Sequence, residues 1–120
     1  MFSNYQIFDD TALAELYELQ SEDDPNLVAD LIKDYLNQLE ANTVAIVNAF
    51  HLNDYKTVEA LSHSLKSSSR VLGLQRMGEV CFLLEEDGRD RRFNPMFITS
   101  LRETSDSSSV ALTLFLSKAA

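Results

Sequence analysis

The sequence predicts an all-α protein in which long helices pack antiparallel as an up-down bundle. Only three Gly and two Pro occur in 120 residues, and a fold of short strands would need many more turn residues. Apolar residues recur at three- and four-residue steps through several long stretches, which is the period of a helix with one buried face. No stretch shows the alternation of a half-buried strand. Long helices with short connections favour a bundle in one domain, residues 1–120.

Two helices are predicted in the N-terminal part of the chain. The first begins at Asp9 or Asp10, either of which can cap it, and continues to about residue 19. A run of acidic residues then breaks it, and Pro25 suits the first turn of the next helix. The second helix extends from residue 27 to about residue 50 and is the longest periodic stretch of the sequence.

The third and fourth helices are predicted on either side of a glycine. The third begins after Asn53 or Asp54, both good capping residues, and continues to about residue 72, where Gly73 terminates or bends it. The fourth extends to about residue 86 and carries an apolar face made of Leu74, Met77, Cys81 and Leu84. Gly88 and the basic, polar residues that follow it are predicted to form a loop up to Pro95.

A fifth helix is predicted from residue 96 to about residue 117. Its helical period continues through the serine-rich residues 105–109. Serine has a low helix propensity, so a break near Ser107 stays open at this point.

The width of the buried face of the fourth helix depends on whether the residues beside its apolar stripe are also buried. Cys81 lies within the apolar face and is predicted to be an inert core thiol. Val80 and Leu83 lie beside that face. They form either part of a wider core or an exposed apolar patch, and an exposed patch would mark a partner site.

The composition limits the classes of partner and compartment. A net charge of −9 argues against nucleic acid and anionic membranes, because both require a basic surface. A single cysteine excludes an internal disulfide and fits a reducing compartment. No secretory signal is visible after Met1, and no apolar run is long enough to span a membrane. We therefore expect a cytoplasmic, monomeric protein.

His63, in the third helix, is the candidate functional residue. On a helical wheel of about 100° per residue, four apolar residues fall within about 40° of the pole opposite His63, namely Val58, Leu61, Leu65 and Leu72. His63 is therefore predicted to project into solvent, since a core histidine would lie among the leucines.

The residues on the same face of the third helix as His63 are largely charged, and they are likewise predicted to project into solvent. Positions three, four and seven residues away hold Lys56, Glu59, Lys66, Ser67 and Arg70. Three of these are basic, which makes a local cationic spot on an acidic protein. A neutral imidazole is a good nucleophile near pH 7, and cations stabilise phosphoryl oxygens. The pattern fits phosphoryl transfer with Lys66 as the stabilising cation, but geometry alone leaves open an ordinary solvated histidine.

A longer motif surrounds this histidine. His63, Leu65, Lys66, Ser68 and Gly73 stand where the histidine-containing phosphotransfer (HPt) domain family has its histidine, a hydrophobic residue, a lysine, a small residue and a glycine. The resemblance extends over most of the chain. It includes the long second helix and the spacing between Cys81 and Glu85.

The resemblance implies a four-helix bundle with an additional short N-terminal helix. His63 would accept a phosphoryl group from the phosphoaspartate of one receiver domain and pass it to another receiver. Lys66 would contact the phosphoryl group, and Glu85 lies where some members have a glutamine that orients the histidine. Lys56, Glu59, Ser67 and Arg70 would support the site or its docking surface. The chain itself would need no metal or cofactor, because magnesium would be bound by the receiver.

Ser67 is the clear departure from the family pattern. The family usually has glycine at this position, where it leaves room for the incoming receiver. Serine is small, and its hydroxyl could bond to the phosphoryl group. The departure keeps open an alternative function, an HPt-like adaptor that binds receivers without carrying phosphate.

Other catalytic classes fit the sequence less well. The phosphoacceptor domain of a sensor kinase has an acidic residue directly after its histidine and a proline nearby, whereas here Ser64 follows His63. The chain has no glycine-rich phosphate loop, so we expect neither ATP binding nor kinase activity of its own. His51, the other histidine, has no basic neighbours and no metal-ligand spacing.

Overall fold

The computed structural model describes residues 2–119 as a bundle of helices. A 3-10 turn at Asp10–Leu13 leads into α1 (Ala14–Leu19), and four long helices follow: α2 (Leu27–His51), α3 (Tyr55–Val71), α4 (Gln75–Asp90) and α5 (Pro95–Ala119). Each long helix packs against the next, and α5 returns to α2, which closes the bundle. Within the described residues, strand-type pairing is limited to one isolated bridge between Ser21 and Asp24. The predicted all-α bundle with a short N-terminal helix is confirmed.

Acidic side chains begin two of the helical segments, as the sequence predicts. Asp9 accepts a hydrogen bond from the backbone N–H of Thr11 at 3.1 Å, at the start of the 3-10 turn. Asp54 accepts one from the backbone N–H of Thr57 at 3.2 Å and caps α3. These bonds satisfy amide groups that have no partner inside the helix.

The N-terminal helices differ from the prediction in two details. The first helix begins as a 3-10 turn and becomes α-helical only at Ala14. Pro25 lies before α2 rather than in its first turn, and Asn26 precedes the first helical residue. The Gln20 side chain accepts a hydrogen bond from the Val28 backbone at 2.9 Å. This bond supplies the cap that the Asn26 side chain does not provide.

The predicted loop at Gly88 is wrong, because α4 continues through Gly88 and ends at Asp90. Arg91 then adopts a left-handed conformation with φ of 57° and ends the helix. The helix continues because Gly88 lies against the backbone of α3. A Cβ atom at Gly88 would lie 2.8 Å from both the Glu59 nitrogen and the Tyr55 oxygen. The glycine is required by close helix packing, a long-range contact that local sequence does not show.

Helix α5 shows no break at its serines. It is continuous from Pro95 to Ala119, and Ser105 and Ser108 are buried against the bundle. The Ser105 hydroxyl is 3.2 Å from the Thr43 hydroxyl of α2. Small side chains here let α5 lie close to its neighbours, and this packing overrides the low helix propensity of serine.

The buried face of α4 is wider than its apolar stripe. The largest fully buried side chains come from every part of the bundle and include Leu13, Ile32, Ile46, Leu65, Leu74, Met77, Leu84, Leu101 and Leu112. Val80 is also fully buried, and Leu83 is half-buried against the core. The two residues therefore belong to a wide core face and form no exposed patch. Cys81 is buried as predicted, and burial raises the pKa of its thiol to about 12.

The N-terminal segment is tied to the turn between α3 and α4. The backbone N–H of Asp9 donates to the Gly73 carbonyl at 2.8 Å. Gly73 has a φ of +79°, and a Cβ atom there would lie 2.1 Å from the Asp9 oxygen. Glycine is needed both for the turn and for this approach. Among residues 2–119, no helix has the length and apolar character needed to cross a membrane.

Candidate functional site

Helices α3 and α4 run antiparallel and form the face that carries His63. Gly78 faces Arg70, Glu85 faces His63, and Gly88 faces Tyr55. The close approach at Gly88 brings the α4 side chains within hydrogen-bond distance of α3. The site is therefore built from two helices rather than from the third helix alone.

His63 is exposed but anchored on one side. Its side chain is 63% exposed, which confirms the solvent-facing direction predicted from the helical wheel. Its Nδ1 atom lies 2.6 Å from Oε2 of Glu85, whose side chain is only 6% exposed. The other ring nitrogen, Nε2, has no partner among the described residues. The ring is held at one nitrogen and open to a reactant at the other.

Glu85 also binds Lys66. The Lys66 ammonium donates to Oε1 of Glu85 and forms an ion pair with it. The Lys66 side chain is 15% exposed, so its predicted projection into solvent is wrong. The side chain folds back over α4 because the buried carboxylate of Glu85 attracts it. One carboxylate thus bridges the histidine and the lysine.

The two bonds to Glu85 determine its charge and the tautomer of His63. Burial acts to raise the pKa of Glu85, but hydrogen bonds from Lys66 and His63 outweigh burial and leave this pKa below its usual value. An ionised carboxylate can only accept hydrogen bonds. His63 therefore carries its proton on Nδ1, and Nε2 has a free lone pair in the neutral ring.

Arg89 is a member of this cluster that the sequence analysis missed. Its Nε atom donates to Oε2 of Glu59 at 3.3 Å, and a terminal nitrogen lies 3.8 Å from Oε2 of Glu85. A glycine at position 88 predicts a helix end, and this prediction places Arg89 in a loop. The four-residue spacing between Glu85 and Arg89 would have indicated the contact in a continuous helix.

The remaining predicted residues lie around this centre at different distances from it. Glu59 contributes through Arg89. The Ser67 side chain is exposed, and its hydroxyl donates to the backbone carbonyl of His63 at 3.1 Å, within α3. Arg70 places its guanidinium carbon 6.0 Å from the centre of the Phe82 ring. Lys56 is exposed and makes no ion pair within residues 2–119.

Removal of the Glu85 charge is expected to change how stability depends on pH. Because the pKa of Glu85 is lower in the folded protein than in the unfolded chain, the ionised carboxylate stabilises the fold at pH values above the ordinary pKa of a glutamate. That contribution is lost as the pH falls through the lower native value. At pH 7 the parent should therefore have a larger free energy of unfolding than Glu85→Gln. This gap, the difference in free energy of unfolding between the two proteins, should become smaller towards pH 3. Urea unfolding at both pH values measures the gap, and a gap independent of pH would contradict this assignment.

The groups that face Glu85 are His63 and Lys66 from α3 and Arg89 from its own helix. Glu86→Gln is the matched control for this measurement. It removes the neighbouring carboxylate, which makes no ion pair within the described residues. The control should not reproduce the pH-dependent gap.

The described residues offer no metal site. No group of three or more His, Cys, Asp or Glu side chains between residues 2 and 119 is arranged to hold a metal ion.

Comparison with known proteins gives a consistent family. The Hpt domain model matches residues 30–109. The "Multistep phosphorelay regulator 1" of Schizosaccharomyces pombe is 28% identical over 88 residues, which is 73% of this chain and 30% of that protein. The chain thus spans less than a third of the length of this relative.

The fold is also found in a solved structure. Histidine-containing phosphotransfer protein B (HptB) from Pseudomonas aeruginosa PAO1 superposes with a TM-score of 0.81. The match covers 93% of this chain and 96% of HptB at 21% sequence identity, so it supports the fold alone. The Hpt domain model, in contrast, spans well over half of the sequence. The chain belongs to the Hpt domain family.

Proposed function

We propose that this chain is a phosphorelay intermediate in which His63 carries a phosphoryl group between receiver domains. The observation that carries the proposal is the state of the His63 ring. Nδ1 is bonded to a buried carboxylate on a side chain that is otherwise exposed, so Nε2 is the ring nitrogen left for a reactant. An anchored, exposed imidazole in the Hpt domain family is suited to accept a phosphoryl group.

The transfer would proceed as a displacement at phosphorus. The Nε2 lone pair forms a bond to the phosphorus of a receiver phosphoaspartate, and the bond from phosphorus to the aspartyl oxygen breaks. The aspartate leaves as a carboxylate, and the proton on Nδ1 stays where it is. The phosphorylated ring then carries a positive charge, which the Glu85 carboxylate stabilises across the 2.6 Å contact. The reverse reaction delivers the group to a second receiver.

The cations around His63 fit the charge that arrives with the phosphoryl group. We assign the main stabilising role to Lys66, whose ammonium is held one helical turn from His63 by Glu85. Arg89 lies on the other side of the same carboxylate. Magnesium would be bound by the receiver, since this chain needs only to position the ring and balance charge. The free, buried Cys81 supports a cytoplasmic location for the reaction.

The test is a transfer assay with a phosphorylated receiver and magnesium. The chain should gain phosphate that is labile in acid and stable in base, as phosphohistidine is. Binding of the receiver without any gain of phosphate would contradict the proposal and support the adaptor alternative. Phosphate that is stable in acid would indicate a different acceptor side chain and would also contradict it.

Replacement of Ser67 by glycine, the usual family residue, tests the docking surface. The hydroxyl of Ser67 bonds to its own helix at 3.1 Å, so we expect Ser67→Gly to keep or improve receiver affinity. Glycine in place of serine within a helix should also lower the free energy of unfolding by roughly 0.5 kcal/mol. Titration calorimetry with a receiver and urea unfolding measure the two effects.

Ser107→Gly is the matched control for the docking test. Its hydroxyl makes the same bond, 3.1 Å to the Glu103 carbonyl, on α5. The two variants should lose similar stability, and only Ser67→Gly should affect receiver binding. A large loss of affinity in Ser67→Gly would show that the hydroxyl makes a needed contact with the receiver.

A further inference from the structure

Phe82, on α4, lies under the cations of the candidate site. Its ring centre is 5.7 Å from the Lys66 ammonium and 6.0 Å from the guanidinium carbon of Arg70. Lys66 and Arg70 are four residues apart on α3, so both reach the same ring from adjacent turns. Their two positive charges would otherwise repel each other at this spacing. The electron-rich face of an aromatic ring attracts a cation within about 6 Å.

A glycine in α4 gives the Arg70 side chain room to reach the Phe82 ring. Gly78, one turn before Phe82, has no side chain, and a Cβ atom there would lie 2.9 Å from Cγ of Arg70. The stem of Arg70 therefore crosses α4 at Gly78 and places its charged end at Phe82. Glu85, one turn beyond Phe82, holds the Lys66 ammonium from the other side. The two cations therefore pack along one face of α4, which is made of Gly78, Phe82 and Glu85.

We propose that Phe82 is a positioning residue for phosphoryl transfer. Its ring holds the Lys66 ammonium, and with it the Arg70 guanidinium, on the α4 side of His63. Lysine has a long, flexible side chain whose ordering costs conformational entropy. A cation already held by Glu85 and Phe82 is in place when the phosphoryl group arrives. This role rests on the proposed function of His63, and Phe82 acts in it through Lys66.

The first measurement is independent of phosphoryl transfer. Methylene protons of Lys66 near the face of an aromatic ring should show an upfield ring-current shift in the NMR spectrum of the unphosphorylated protein. Phe82→Leu should remove the shift, and Phe82→Tyr should keep it. An unshifted Lys66 in the parent protein would overturn the proposal directly.

The second measurement follows transfer from a phosphorylated receiver. Phe82→Leu should slow phosphoryl acceptance about threefold to tenfold, the range expected for a partly desolvated cation–π contact. Phe82→Tyr should restore the parental rate, because tyrosine keeps the ring. Phe115→Leu is the matched control, since it removes a ring that packs on Phe8 at 5.5 Å, away from Lys66 and Arg70. It should transfer at the parental rate.

A double-mutant cycle separates positioning from a structural effect. In a Lys66→Ala background, the effect of Phe82→Leu on the rate should be much smaller, because the cation with the main stabilising role is gone and only Arg70 is left on the ring. An undiminished effect in that background would overturn the proposal. If the parent accepts phosphate and Phe82→Leu does so equally fast, the positioning role is wrong and the proposed function stands. The parent could also accept no phosphate although its Lys66 methylene protons show the ring-current shift. In that case the proposed function is wrong, and the positioning role in phosphoryl transfer is wrong as well.

Discussion

Replacement of His63 by glutamine is expected to abolish phosphoryl acceptance. Glutamine has roughly the length of histidine and can still donate a hydrogen bond to Glu85, so the 2.6 Å contact has a substitute. Its amide nitrogen has no lone pair suited to attack phosphorus, so the nucleophile is lost. The side chain is 63% exposed, and the hydrogen bond from glutamine keeps the buried carboxylate of Glu85 paired, so we expect only a small change in the free energy of unfolding. The expected loss is therefore of chemistry and not of fold.

His51→Gln is the matched control for this loss. His51 is the other histidine of the chain, lies at the end of α2 and is exposed. Its ring contacts Phe50 edge-on, with ring centres 5.4 Å apart. A transfer assay with a labelled receiver should show parental labelling of His51→Gln and none of His63→Gln. Equal labelling of both variants would exclude His63 as the acceptor.

Gly88→Ala is expected to destabilise the protein and to disturb the site. The added Cβ atom would lie 2.8 Å from the Glu59 nitrogen and the Tyr55 oxygen, both of them backbone atoms of α3. Backbone atoms cannot move aside without displacing the helix, and overpacking of this kind costs about 1–3 kcal/mol. Separation of α3 from α4 would also lengthen the contact between His63 and Glu85. Both the free energy of unfolding and the transfer rate should fall.

Gly78→Ala separates this packing effect from the general effect of glycine in a helix. Both glycines lie within α4, and alanine should favour the helix by about 0.5–1 kcal/mol at either position. At Gly78 the new atom would meet Cγ of Arg70 at 2.9 Å, and an exposed arginine can adopt another rotamer. Urea unfolding should show a large loss for Gly88→Ala and little change for Gly78→Ala. Equal stability changes in the two variants would contradict the close approach at Gly88.

The helices and the direction of His63 could be predicted from the sequence because both follow from local periodicity. Val58 and Leu65 are buried and His63 is exposed, as the helical wheel requires. These properties depend only on which face of α3 meets the core. Cys81 of α4 is likewise buried, as its position within the apolar face of that helix predicts.

The partners of the site residues could not be predicted in this way. Lys66 was expected in solvent because the wheel describes α3 alone, whereas its actual partners, Glu85 and Phe82, lie on α4. Arg89 was missed because a glycine in a helix interior resembles a helix end until the neighbouring backbone is known. In each case the decisive contact depends on the register between two helices.

The most direct test of the account is the position of the phosphoryl group on the His63 ring. Phosphorylated protein with ¹⁵N-labelled histidine should show coupling between phosphorus and Nε2 of His63. The Nδ1 atom should keep its proton and its hydrogen bond to Glu85, as the 2.6 Å contact predicts. Coupling to Nδ1, or phosphate on any other side chain, would contradict the account.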